Sequence, residues 1–169
     1  MKPCWRASAL VLFGLAACGG SHAPALAHRR APSFALSDQD GIRRSLDEFH
    51  GKVVVLYFYP KDATPGCTRE ACAFRDAWAR LEAAGVQVLG VSTDDVASHR
   101  AFAAEHDLPF PLLADTDGAV ARAYGVSTPM GMAARTTFLI DGEGVVRRVW
   151  EDVDPAVHVD EVLAAIGEL

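Results

Sequence analysis

The sequence predicts an α/β domain in which helices pack on a sheet of parallel and antiparallel strands, and three features of the chain predict it. Val53 to Tyr59 is a continuous apolar, β-branched and aromatic run, which suits a central strand covered on both faces. Val86 to Val91 repeats that character after a helical stretch, which makes a βαβ unit with parallel strands. Asp40-Gly41 and Asp141-Gly142-Glu143-Gly144 each separate two strand-like runs, so hairpins flank the parallel pair.

The chain opens outside this domain. Met1 to Arg6 is a short basic start, and Ala7 to Ala17 is an apolar run that ends in small residues. That run falls short of the roughly 20 residues that span a bilayer, so residues 1–17 read as an export signal peptide. Leu15-Ala16-Ala17-Cys18 resembles the lipobox of bacterial lipoproteins. The resemblance implies cleavage before Cys18 and lipidation of that cysteine; the plain alternative is a cut after Ala25 or Ala27. Residues 18–30 carry the glycine, proline and small residues of a flexible tether, with a typical end-to-end distance of about 20 Å. A membrane-anchored domain facing the periplasm or cell exterior follows, held to the membrane only through its N-terminal lipid.

The domain itself is expected over residues 31–169. Phe34 to Leu36 and Ile42 to Ser45 form an N-terminal hairpin around Asp40-Gly41. A helix is predicted from Pro65 to Ala84, stopped by Gly85. Asp94-Asp95 caps a helix through His106, and Leu108-Pro109-Phe110-Pro111 breaks the pattern. A short helix covers Asp117 to Tyr124, a hairpin joins Thr137–Ile140 to Val145–Trp150, and Pro155 to Ile166 closes the chain as a helix. A formal net charge of -6 without a basic run excludes a nucleic-acid surface.

Cysteine use narrows the chemistry. Cys4 leaves with the signal and Cys18 carries lipid, so Cys67 and Cys72 are the thiols of the mature domain. A loop of five residues constrains an unfolded chain very little, which argues against a structural staple. Pro65 suits a first helical position and Thr64 a cap, so Cys67 falls in the first turn of a helix. Unpaired N–H groups and the helix dipole favour negative charge there, and the thiolate is the nucleophilic form of cysteine. This effect alone is too small for a fast enzyme, so other groups must stabilise the reacting atoms.

Pro60-Lys61-Asp62-Ala63-Thr64-Pro65-Gly66-Cys67 fits the Pro-x-x-x-Thr-x-x-Cys motif of peroxiredoxins. With Cys72 five places on, Tyr57 to Arg75 resembles the bacterioferritin-comigratory-protein (peroxiredoxin Q) subfamily. The likeness continues through Val88–Ser92, Leu112–Asp115, Ala123–Val126 and Arg135–Asp141. It implies a thioredoxin-like fold with a central mixed β-sheet flanked by helices. It also implies that Cys67 attacks peroxide and becomes a sulfenic acid. Thr64 would hold the thiolate and peroxide, Pro60 would shield the pocket, and Arg135 would donate to the sulfur and the peroxide oxygens. Cys72 would resolve the sulfenic acid as a disulfide, which a thioredoxin-like reductant then reduces. No metal, haem or flavin cofactor is implied, and a monomer is expected. The Ser127–Ala134 stretch is short for the subfamily.

Helix geometry adds a demand. Five residues along an ideal helix place the two Cα atoms about 8.7 Å apart, whereas a disulfide needs them within about 7 Å. The first turns of the helix must therefore unwind before the cysteines can bond. Two other functions compete for the same cysteines. A thiol–disulfide oxidoreductase uses Cys-x-x-Cys, but four residues separate the cysteines here. A tethered redox sensor would signal oxidation of Cys67 without turnover. The six histidines show no ligand spacing, and His99 and His106 read as a solvated helical face. Asp115-Thr116-Asp117-Gly118 reads as a turn and helix cap, and Phe74, Trp78 and Leu81 as core.

Overall fold

The computed structural model describes residues 23–169. The expected signal peptide and Cys18 lie outside the described residues. Strands β1 (Ala35–Ser37) and β2 (Arg43–Ser45) form the expected N-terminal hairpin. Then come β3 (Val53–Phe58), α1 (Pro65–Asp76), α2 (Trp78–Ala83), β4 (Val86–Ser92) and α3 (Val96–Glu105). Strand β5 (Leu112–Ala114), α4 (Ala119–Ala123), the hairpin of β6 (Thr136–Ile140) and β7 (Val146–Glu151), and α5 (His158–Ile166) complete the chain. One seven-stranded sheet runs in the order β2-β1-β5-β4-β3-β6-β7. Strands β3, β4 and β5 are parallel, and the remaining pairs are antiparallel, so the sheet is mixed.

The continuous apolar run of β3 is explained by burial on both faces. Val55 and Tyr57 pack with Phe74 of α1, Leu81 of α2, Phe102 of α3 and Val162 of α5. Val54, Leu56 and Phe58 meet Ala121 of α4, Tyr124 and Phe138 on the other side. Each such large buried side chain contributes about 1.5–3 kcal/mol of transfer free energy, so the centre of the sheet is the most firmly held part.

Four expectations are revised. The helix expected over 65–84 breaks at Ala77, which caps both α1 and α2 with φ -88° and ψ -3°. No glycine or proline marks this break; it coincides with a tertiary tie in which Arg75 Nη1 donates to the His106 carbonyl at 2.9 Å. Strand β5 was not expected, because three residues after Pro111 are too few to show a period. The Gln39 side chain supplements it, accepting from the Leu112 N–H at 2.8 Å. Helix α5 starts at His158 rather than Pro155, after Asp154 accepts from the Ala156 N–H at 2.9 Å.

The fourth revision concerns the tether expected over residues 18–30. A 3-10 turn occupies Ala23–Leu26. The His28 N–H then donates to the Val146 carbonyl at 2.7 Å, the Val146 N–H to Arg29 at 2.8 Å, and the Ala31 N–H to Gly144 at 2.8 Å. The backbone from His28 onward is therefore part of the domain, which begins before residue 31. Strand β7 is an edge strand, and its outward groups take these partners.

Candidate active site

Strand β3 ends where the loop to α1 begins. The Tyr59 N–H still donates to the Val91 carbonyl at 3.0 Å, but Pro60 has no N–H to continue the ladder. Asp62 follows, then Ala63 with φ +54°, then Thr64 with extended backbone at φ -85° and ψ 146°. A left-handed residue that carries a Cβ costs about 1–2 kcal/mol. The surrounding hydrogen bonds offset this. The Asp62 carboxylate, buried in the fold, accepts from Tyr59 Oη at 2.7 Å and Ser98 Oγ at 2.8 Å, and pairs with His99 Nδ1 at 2.8 Å. The Asp62 N–H donates to Asp94 Oδ2 at 2.8 Å. Hydrogen bonds to a charged group contribute about 1.5–3 kcal/mol each, enough to hold the turn.

Helix α1 starts from this turn as expected, with Pro65 at its first position and the Thr68 N–H bonding back to the Thr64 carbonyl at 2.9 Å. Cys67 thus lies in the first turn, ahead of that bond, where backbone N–H groups have no partner within the helix. Thr64 caps by backbone position only. Its hydroxyl donates to the Lys61 carbonyl at 3.0 Å rather than to a helical N–H. Pro60 is half-buried at the strand end. Neither Pro60 nor Thr64 makes a hydrogen bond to Cys67; they shape the loop from which α1 departs.

Cys67 is 1% exposed and its thiol is free. Arg135, at the entry to β6, places Nη2 3.2 Å from the sulfur. Its other nitrogen, Nη1, pairs with Glu70 Oε2. The Arg135 backbone is fixed as well, since its carbonyl accepts from the Asp152 N–H at 3.0 Å. Gly66 makes room for the guanidinium, because a Cβ at that position would lie 2.7 Å from Nη2. The structure therefore brings Arg135 and Cys67 together across 68 positions of sequence.

Glu70 was not expected. It lies one turn after Cys67 on the buried face that also carries Ala71 and Phe74. Its carboxyl is fully buried, and burial raises its pKa to about 7 against the opposing pull of Arg135. Tyr57, also fully buried beneath α1, is held well above the ordinary phenol range by burial first and by the nearby Glu70 second. The signal for Glu70 was present in the sequence as an acid on an apolar helical face. His99 is a correction: the residue read as solvated is fully buried and bonded to Asp62.

Cys72 is free and half-buried, further along the same unbroken helix. Helical geometry keeps it about 8.7 Å from Cys67 between Cα atoms, beyond disulfide reach. Among the described residues no three His, Cys, Asp or Glu side chains gather as a metal site. The arrangement supplies a sulfur nucleophile, a guanidinium with donors beside it, and a second thiol held apart.

The sequence profile of the AhpC/TSA family matches residues 27–149. The bcp peroxiredoxin of Coxiella burnetii is 48% identical over 145 residues, which cover 82% of this chain and 96% of that protein. The structure of the peroxidoxin BcpB of Mycobacterium tuberculosis superposes with a TM-score of 0.80 at 36% identity, over 85% of this chain and 97% of that one. The bacterioferritin comigratory protein of Xanthomonas campestris gives 0.75 at 39% identity, over 80% and 90%. The fold is thus thioredoxin-like, as expected. Since these matches run through the sheet, the loop before α1 and the entry to β6, the chain belongs to the peroxiredoxins, a family of thiol peroxidases, in their bacterioferritin-comigratory-protein (peroxiredoxin Q) branch.

Proposed function

We propose that the protein reduces hydrogen peroxide and organic hydroperoxides through Cys67 and Cys72. The observation that carries this reading is the 3.2 Å contact between Arg135 Nη2 and Cys67 Sγ. A guanidinium there stands within hydrogen-bond reach of the sulfur and donates to oxygens that gain charge as the O–O bond breaks. The Cys67 thiolate attacks the terminal peroxide oxygen, the O–O bond cleaves, and the departing alkoxide or hydroxide takes a proton. Cys67 is left as a sulfenic acid. The Cys72 thiolate then attacks that sulfur, hydroxide leaves and is protonated to water, and a disulfide forms. A thioredoxin-like dithiol reduces the disulfide by exchange.

Thr64 and Pro60 complete the pocket in this reading, Thr64 by turning its hydroxyl from Lys61 toward the peroxide. The Xanthomonas campestris relative, solved with a trapped intermediate and ligand, has alkyl peroxide reduction activity. That supports an organic hydroperoxide as one substrate here. We further propose that the chain is exported and acylated at Cys18; Cys18→Ser would then move it from the membrane to the soluble fraction.

Rapid mixing with peroxide, followed by mass analysis, tests the chemistry. Cys67→Ser should consume no peroxide, and Cys72→Ser should stop after one turnover with one oxygen added at Cys67. Parental turnover by Cys67→Ser would end the proposal.

A further inference from the structure

The loop that launches α1 is tied to a different part of the fold by a buried polar cluster that touches no reacting atom. Asp62 is 6% exposed and His99 is fully buried. His99 and Ser98 come from the first turns of α3, Asp94 from the turn after β4, and Tyr59 from just past the end of β3. Three of these side chains converge on the Asp62 carboxylate, while Asp94 Oδ2 takes the Asp62 N–H and the Ser92 hydroxyl, both at 2.8 Å. With Asp62 as acceptor, Nδ1 of His99 carries the hydrogen. The next residue, Ala63, is exposed and left-handed, and four residues later stands Cys67.

We propose that Asp62 and His99 are positioning residues for Cys67. They hold the Ala63 turn in its left-handed form and so set the direction in which α1 leaves the sheet. The sulfur then meets Arg135 without adjustment. The Thr64 hydroxyl bonds only within its own loop, at the Lys61 carbonyl, so the ties from the Ala63 turn to the β4–α3 side of the fold run through Asp62. Removing the His99 donor weakens the cluster, lets Ala63 relax toward right-handed backbone, and swings the start of α1. A displacement of about 1 Å at a reacting group slows a reaction on the order of a hundredfold. Glycine adopts a left-handed turn without help. The dependence on His99 should therefore shrink when residue 63 lacks its Cβ. A residue that merely fills the core would matter equally in both settings.

The inference rests on Cys67 being the peroxide-reacting thiol. The test compares rate constants for Cys67 oxidation by hydrogen peroxide on the full chain. His99→Leu is made in the parent and in the Ala63→Gly background. The expected result is slowing of about tenfold or more in the parent and less than about threefold in the Ala63→Gly background. Slowing below about tenfold in the parent, or of about threefold or more in the second background, overturns the inference. Where His99→Leu does not fold, the isosteric Asp62→Asn goes through the same comparison with the same thresholds. A Cys67→Ser control that still consumes peroxide at the parental rate defeats the underlying reading instead.

Discussion

Gly66 and Arg135 share a space with no room for a side chain on the first: a Cβ there would lie 2.7 Å from Arg135 Nη2. The obstacle would stand against the nitrogen that faces the Cys67 sulfur. Gly66→Ala should therefore displace the guanidinium and slow peroxide reduction on the order of 10- to 100-fold, since loss of one preorganised donor is worth that much or more. Thermal stability should change little by comparison. Stopped-flow fluorescence during peroxide addition measures the rate, and a parental rate would show that Arg135 is not needed where it stands.

Glu70 gives the fold a pH dependence of definite sign. Its ordinary pKa is 4.5, and burial raises it to about 7. A carboxyl that binds its proton more tightly when folded contributes stability that is fully present below pH 4.5 and is lost as pH rises through about 7. The change is on the order of 3 kcal/mol. Urea titrations at several pH values should show the parent losing stability relative to Glu70→Gln across that window. Parallel curves for the two proteins would rule this out.

Formation of the Cys67–Cys72 disulfide requires α1 to open at its first turns, because the two cysteines sit on one continuous helix from Pro65 to Asp76. Phe74 is fully buried and Arg75 is tied to His106, so the far end of the helix is the fixed one. Amide exchange in residues 65–75 should therefore rise on oxidation, most at residues 65–70. Equal protection in the reduced and oxidised proteins would remove the requirement.

His158 lies between Phe74 and Trp150, edge-on to both rings, with Nε2 2.8 Å from Thr137 Oγ1. Burial lowers its pKa below the usual 6.5, and Glu161, with Oε2 3.5 Å from Nδ1, pulls the other way. A histidine with a depressed folded pKa contributes stability that is present above pH 6.5 and is lost as pH falls through its folded value. Protection factors across α5, taken against the intrinsic exchange rate at each pH, should fall on acidification in the parent and much less in His158→Gln. The same acid response in both would assign it to another group.

How far the sequence could be read depends on where each interaction originates. Strands β3 and β4 were legible because burial on both faces writes a continuous apolar run. Strand β5 was not, because its pairing is supplied by β4 and by the Gln39 side chain rather than by its own three residues. Cys67 and Arg135 stood out through motif residues, although 68 positions separate them. Glu70 is hidden in the sequence because charge on a helix usually means solvent, and its partner Arg135 lies 65 positions away at the entry to β6. His99 was misread for the same reason: its partner Asp62 lies 37 positions earlier, in a loop.

The pairing of residues 28–31 along β7 bears on how other molecules reach the protein. Strand register aligns Val54 with Ile140 and Val146 at one end of the sheet, and Phe58 with Thr136 and Glu151 at the other. Residues 28–31 bond at the Val146 end, whereas Cys67 follows Phe58. Four residues of strand put about 13 Å between those levels. The chain thus joins the sheet at one pole, and Cys67 stands beyond the other. The point where residue 28 joins the sheet is set apart from the end that carries Cys67 by most of the length of a strand.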